Sequence, residues 1–135
     1  EFPLQPAMLE RARGLAADGG SVEVVDSMDD AIKGADIVIP KNWGGFAHFD
    51  EFVDDDEHAR IMKENLEKHQ DWICNAERFA RANRGARIMH ALPADRGNEI
   101  TDELLDSDHS IIYDEAENRL HTSKSVLALL LGGRP

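Results

Sequence analysis

The stretch Ile88-Met89-His90-Ala91-Leu92-Pro93 constrains this chain more than any other. Two apolar residues run into a histidine and stop at a proline. Proline has no N–H to donate and holds φ at about −65°, so a β-ladder cannot continue through Pro93. Leu92, the residue before it, is expected to be extended. A polar turn follows, Ala94-Asp95-Arg96-Gly97-Asn98-Glu99. The run reads as a short buried strand that releases a polar loop at its carboxyl end. Open α/β sheets place their ligand crevice there. A satisfied histidine in a proline-terminated loop is the plain alternative.

The flanking sequence repeats this rhythm. Pro6 suits a first helical turn, and Met8, Leu9, Ala12, Leu15 and Ala16 recur at helical spacing up to Gly19-Gly20. Ser21 to Val25 alternates with β-branched residues and predicts a strand. Ser27 caps a short helix with Asp29 and Asp30 in its first turn, and Gly34 ends it. Ala35 to Ile39 is a second strand, stopped by Pro40. A polar passage from Phe46 to Asp56 has no clean period, and the Asp54-Asp55-Asp56-Glu57 run suits a solvated loop and helix start. Helices are expected over Glu57–His69 and, capped by Asn75, to about Asn83, with Asp71–Cys74 extended between them. Ala86–Met89 and Ser110–Tyr113 predict further strands, Thr101 a one-turn helix, and Asp114–Leu131 the last helix. Strand, helix, strand in succession predicts an α/β fold with a doubly wound, Rossmann-like parallel sheet.

Charge and cysteine usage exclude several functions. Net charge −12 over 135 residues, with no Lys/Arg cluster, argues against nucleic acid as a partner. A single cysteine, Cys74, allows no internal disulfide and suits a reducing, cytoplasmic compartment. No apolar run approaches the roughly 20 residues of a membrane span, so no membrane partner is expected. His48, His58, His69 and Cys74 lack metal-ligand spacing, and neither a metal nor another cofactor is expected. The chain opens on Glu1-Phe2-Pro3 rather than on an initiator methionine, and is expected to be a piece of a longer protein.

Three short stretches fall at strand ends: Pro40-Lys41-Asn42-Trp43, His90-Ala91-Leu92-Pro93, and Asp114-Glu115-Ala116-Glu117-Asn118-Arg119-Leu120-His121. Converging loops of this kind make one crevice. Lys41 and Arg119 are fixed cations suited to a carboxylate or a developing oxyanion. The carbonyls of Ala91 and Leu92 can accept from an amine, and Glu99 can pair with an amine or with Lys41. Arg96 is either an anion contact or a surface arginine. Trp43 and Trp72 are more readily packing residues than substrate platforms, although Trp43 stands beside Lys41. Asp114, Glu115 and Glu117 suit the first turn of the last helix.

His-x-Leu-Pro followed by Asp-Glu-Ala-Glu-Asn-Arg-Leu-His resembles the amino-acid-binding domain of the aspartate/ornithine carbamoyltransferase family. The resemblance covers essentially the whole chain, residues 1–135. It implies transfer of a carbamoyl group from carbamoyl phosphate to an amine, in a homotrimer, with ornithine and arginine biosynthesis as the setting. The family's carbamoyl-phosphate domain, with its Ser-Thr-Arg-Thr-Arg loop, is not in this sequence. Lys41-Asn42-Trp43 and His69-Gln70-Asp71-Trp72-Ile73-Cys74 resemble the knotted transcarbamylases, the N-acetylornithine type and its relatives. That likeness implies that Lys41 holds the substrate carboxylate. The position of Glu99 is, in the N-acetylornithine type, a lysine that becomes carboxylated, so Glu99 would supply a negative charge directly. Ornithine enzymes also tend to have Glu there, but carry Cys at the position of Ala91.

By this likeness His90 and Arg119 attend the carbamoyl oxygen, Ala91 and Leu92 the amine, and Lys41, Trp43, Arg96 and Glu99 the amino acid. Two other classes remain. A catalytically silent carbamoyltransferase-like fragment or regulatory module would share the motifs. A nucleotide-binding Rossmann domain should show G-x-G-x-x-G, which neither Gly19-Gly20 nor Gly44-Gly45 fits. In the family's domain two strands precede the position of Glu1 and lie at the centre of the sheet. The sheet is therefore expected to be incomplete, with a gap between Val22–Val25 and Ile37–Ile39, and residues 1–135 alone to unfold or associate.

Overall fold

The computed structural model describes residues 4–16, 19–43 and 55–132. Gly44, Gly45, His48, Asp54 and most of the polar passage around them lie outside the described residues, as do the side chain of His58 and the first three residues.

Helix α1 (Pro6–Leu15) starts on its proline as expected, but buries none of its residues. Helix α2 (Met28–Ile32) is capped by Ser27, whose Oγ accepts from the Asp30 N–H at 3.2 Å. Strand β1 (Ile37–Val38), helix α3 (Asp55–Lys68) and helix α4 (Ala76–Phe79) follow. The Asn75 side chain caps α4 through the Arg78 N–H at 2.9 Å. Strand β2 (Arg87–Ile88) comes next, then helices α5 (Asp102–Leu105) and α6 (Ile112–Leu130).

Strands β1 and β2 pair in parallel, Ile37 opposite Arg87 and Val38 opposite Ile88, so the α3–α4 passage is the crossover between them. On its other side Ile88 meets the Ser110 segment: its N–H donates to His109 O and its carbonyl accepts from Ile111 N, both at 2.9 Å. Ile88 is fully buried at the centre of this array. Around it Val38, Phe79, Ala86, Ile100, Leu104, Leu105 and Ile112 form the core.

Two expected strands differ. Residues 21–25 form no ladder, and Val24 and Val25 are exposed. β-branched alternation suits a strand only where a neighbour takes its hydrogen bonds, and among the described residues no other segment pairs its backbone with this one. The strand expected over Ser110–Tyr113 shrinks to the single bridge at Ser110, because α6 begins at Ile112. Asp114 and Glu115 favour a helical first turn at that place. Ile112 still reaches the core from the helix.

Candidate active site

Two residues beyond β2 the chain reaches His90, which is buried. Three hydrogen bonds hold it. Its backbone N–H donates to Glu115 Oε2 at 2.9 Å, its Nδ1 accepts from the Leu92 N–H at 2.9 Å, and its Nε2 lies 3.1 Å from Glu99 Oε1. A ring that accepts at Nδ1 carries its hydrogen on Nε2, so the imidazole donates to Glu99. Both ring nitrogens are thereby occupied within the chain.

Leu92 is not extended, as a pre-proline residue should be. It sits at φ 54°, ahead of the cis Leu92–Pro93 bond. A left-handed leucine is uncommon, and such residues cost on the order of 1–3 kcal/mol. Bending back in this way is what brings the Leu92 N–H onto His90 Nδ1. Ala91 and Leu92 are exposed at the strand end, and their carbonyls accept no hydrogen bond among the described residues.

The loop after Pro93 returns Glu99 beneath His90. Backbone bonds fix it: Cys74 N donates to Glu99 O at 2.9 Å, and Thr101 N to Cys74 O at 3.1 Å. The Glu99 side chain is 3% exposed. Its Oε1 accepts both from His90 and from the Asp95 N–H, the latter at 2.7 Å. Its Oε2 is buried with no hydrogen-bond partner among the described residues. A buried acceptor left in that state costs about 1–3 kcal/mol.

Glu99 lines a cavity of about 490 Å³ that also runs past Lys41, Asn42, Trp43, Trp72 and Cys74, with Met28, Ile32 and Val38 as apolar wall. Lys41 is exposed and its Nζ donates to Asn42 Oδ1. Trp43 is buried and stacks on His69, ring centroids 5.7 Å apart and planes 15° from parallel. Burial pushes the Cys74 thiol up to about 11, with Arg78 opposing weakly. The structure thus brings Lys41, Trp43 and Glu99 to one cavity, with His90 touching it through Glu99.

Arg96 and Arg119 stand elsewhere. Arg96 donates through Nη1 to Asp102 Oδ1 at 2.8 Å and Asp106 Oδ2 at 2.7 Å, and through Nη2 to Asp106 Oδ1 at 2.8 Å. These bonds raise its pKa and hold the Asp106 carboxyl below its usual range. The guanidinium is spent on the surface, the second of the two roles open to it. Arg119 is exposed on α6 and makes no ion pair among the described residues. It lies one helical turn beyond Glu115, on the same face.

Glu115 stands in the first turn of α6 as expected, and its carboxylate does one thing more: it accepts from the His90 N–H and so joins the two motifs. Trp72, expected as a packing residue, also lines the cavity, as does Asn42. The strand-end position of the Asp114-Glu115 stretch was the available signal.

A family model described as the Asp/Orn binding domain of aspartate/ornithine carbamoyltransferase matches residues 1–130. The chain belongs to the aspartate/ornithine carbamoyltransferase family. Among curated members, the ornithine carbamoyltransferase of Pyrococcus horikoshii is 38% identical over 118 residues, covering 87% of this chain and 34% of that protein. That of Mesorhizobium japonicum is 40% identical over 116 residues, covering 86% and 35%. The chain therefore spans about a third of the length of the curated relatives it matches. Among solved structures, ornithine carbamoyltransferase from Pyrococcus furiosus superposes with a TM-score of 0.78 at 32% identity, over 97% of this chain and 39% of that one. An N-acetyl-L-ornithine transcarbamylase gives 0.75 at 32% identity, over 96% and 37%. The α/β fold with a parallel sheet is that of these neighbours.

Proposed function

We propose that the full-length protein transfers a carbamoyl group from carbamoyl phosphate to the side-chain amine of ornithine or an N-acylated ornithine-like amino acid. Residues 1–135 supply part of the carboxyl-terminal amino-acid-binding domain, and carbamoyl phosphate is held by a domain outside this chain. The setting is a cytoplasmic homotrimer in arginine biosynthesis. One observation carries the reading: a buried Glu99 oxygen without a partner shares a cavity with Lys41.

In the reaction the neutral amine attacks the carbonyl carbon with its lone pair, and the carbonyl π electrons move onto oxygen. The tetrahedral intermediate collapses, the bond to the phosphate oxygen breaks, and its electron pair leaves with phosphate. The new ureido nitrogen loses a proton. Arg119 is the proposed donor to the developing oxyanion, a role in which charge matters most at the transition state. The carbonyls of Ala91 and Leu92 orient the attacking amine. Lys41 takes the amino-acid carboxylate. His90, clamped between Leu92 and Glu99, aims the Glu99 carboxylate; a direct contact with the carbamoyl oxygen would require Nε2 to leave Glu99. Arg96 stays with Asp102 and Asp106.

The test is phosphate release by full-length protein given carbamoyl phosphate and, in turn, ornithine, N-acetylornithine, N-succinylornithine, putrescine and diaminopropionate. An amine-dependent release supports the reading. Release with none of them leaves the silent-fragment alternative.

A further inference from the structure

We infer that Glu115 is a positioning residue for carbamoyl transfer, an inference that rests on the carbamoyltransferase reading above. By accepting from the His90 N–H, its carboxylate sets the separation between the strand-end carbonyls that orient the amine and the Arg119 guanidinium that meets the oxyanion. The same bond keeps Glu115 from pairing with Arg119.

The groups assigned to the two reacting partners stand on two elements. Ala91 and Leu92 follow β2, and Arg119 rides on α6. Among the described residues one hydrogen bond joins the strand end to α6, from the His90 N–H to Glu115 Oε2 at 2.9 Å. It falls close to the working groups on both sides. His90 directly precedes Ala91, and Glu115 stands four residues, about one helical turn, before Arg119. Little slack enters on either side. Leu92 is tied back to the His90 ring, and Ile112 anchors the start of the helix in the core. A shift of α6 against the strand end therefore passes into the distance between oxyanion donor and amine.

Glu115 also forgoes a nearer partner. Glutamate four residues ahead of a cation on a helix is the favourable order for an ion pair. Helix α3 forms such a pair even in the reverse order, between Arg60 and Glu64 at 2.6 Å. The Glu115 carboxylate turns instead to a neutral backbone N–H, and Arg119 makes no ion pair among the described residues. Its charge is thereby kept for an anion. Helix initiation alone does not call for this arrangement, since Asp114 supplies an exposed acid in the same turn.

The experiment sets reach against charge in the full-length protein, with carbamoyl phosphate and the better of ornithine and N-acetylornithine. Glu115→Gln keeps the length and an accepting oxygen but loses the charge. Glu115→Asp keeps the charge and a first-turn acid but falls one methylene short of the His90 N–H. Gln should hold kcat to within about threefold of wild type, while Asp loses on the order of a hundredfold, the scale of a misplaced reacting group. The KM of each substrate should stay within about threefold in both variants, because the positioned groups act at the transition state. With Arg119→Ala as background, Asp should cost no more than about threefold, since no guanidinium remains to be placed. A partner of the helix dipole would give the reverse order, Asp above Gln, which overturns the inference. Equal losses in the two variants, or none in either, overturn it as well, as does an Asp penalty undiminished by Arg119→Ala. Each of these outcomes comes from an active wild type and leaves the carbamoyltransferase reading standing. Phosphate release by wild type with neither amine overturns that reading, and the inference with it.

Discussion

Replacing His90 by phenylalanine separates a positioning role from direct catalysis. The ring stays, but both nitrogens go. Glu99 Oε1 is left with the Asp95 N–H alone, and the Leu92 N–H loses its acceptor. Each of the two lost bonds is worth a net of about 0.5–1.5 kcal/mol, and the left-handed turn at Leu92 loses the contact that holds it. A loss of about 2 kcal/mol in transition-state binding of ornithine follows, roughly thirtyfold in kcat/KM. The assay is a double-mutant cycle in the full-length protein, with His90→Phe, Glu99→Gln and the pair. If His90 acts by aiming Glu99, its loss should cost less than about threefold once Glu99 is Gln, a coupling on the order of 1–2 kcal/mol. Costs that add to within about 0.5 kcal/mol would mean that the histidine meets the substrate independently of Glu99. The positioning argument would then be refuted.

Arg119→Ala should lower kcat by about 10²–10³ with little change in the amino-acid KM, whereas Lys41→Ala should chiefly raise that KM; steady-state kinetics in both substrates checks the contrast. Cys74, buried and pushed up to about 11 from 9.0, should alkylate slowly at pH 8, with about a hundredfold less thiolate than an ordinary cysteine. Because the folded value is the raised one, the stabilisation is intact below about pH 9 and is lost as pH climbs through about 11, which alkaline melts of wild type against Cys74→Ala can follow. Arg96 lowers the Asp106 pKa, so the pair stabilises above the ordinary carboxylate range and the effect disappears as pH falls through it; the melting difference between wild type and Asp106→Asn should close below about pH 4. Residues 1–135 expressed alone should associate, since Val24, Val25, Ile37 and Ile39 are all exposed; a monomer with a concentration-independent cooperative melt would contradict this.

Local signals were legible where local chemistry decides the outcome. Pro6, Ser27 and Asn75 start helices through a missing N–H or a side-chain cap, and each is found doing so. Apolar runs ending at Pro40 and in the Leu92-Pro93 pair gave the two strands that pair. Non-local partners decided the rest. Val22–Val25 has strand chemistry without a neighbour, and Ile111-Ile112 has it at a place where the following acids favour a helix. For the site, the Lys41, Trp43 and Glu99 grouping was readable from strand ends. That Glu99 would leave one oxygen bare, and that Glu115 would reach the His90 backbone, depends on loop paths that no spacing rule specifies.

Sheet and site are coupled through one residue. Ile88 faces Val38 on one side and exchanges two backbone bonds with the His109–Ile111 segment on the other. Two residues later the same strand positions His90, whose N–H is held by Glu115 from the helix that the His109–Ile111 segment leads into. Displacing Ile88 therefore moves both halves of the clamp on His90, the strand that carries it and the helix that grips it. Arg119 rides on that helix one turn further along, so its approach to the strand end is set by the same contact. The order of the two motifs in the sequence follows from this: His-x-Leu-Pro must end one strand and the acidic helix must start directly after the next. Only then can Glu115 reach back to His90 and leave Arg119 one turn beyond it.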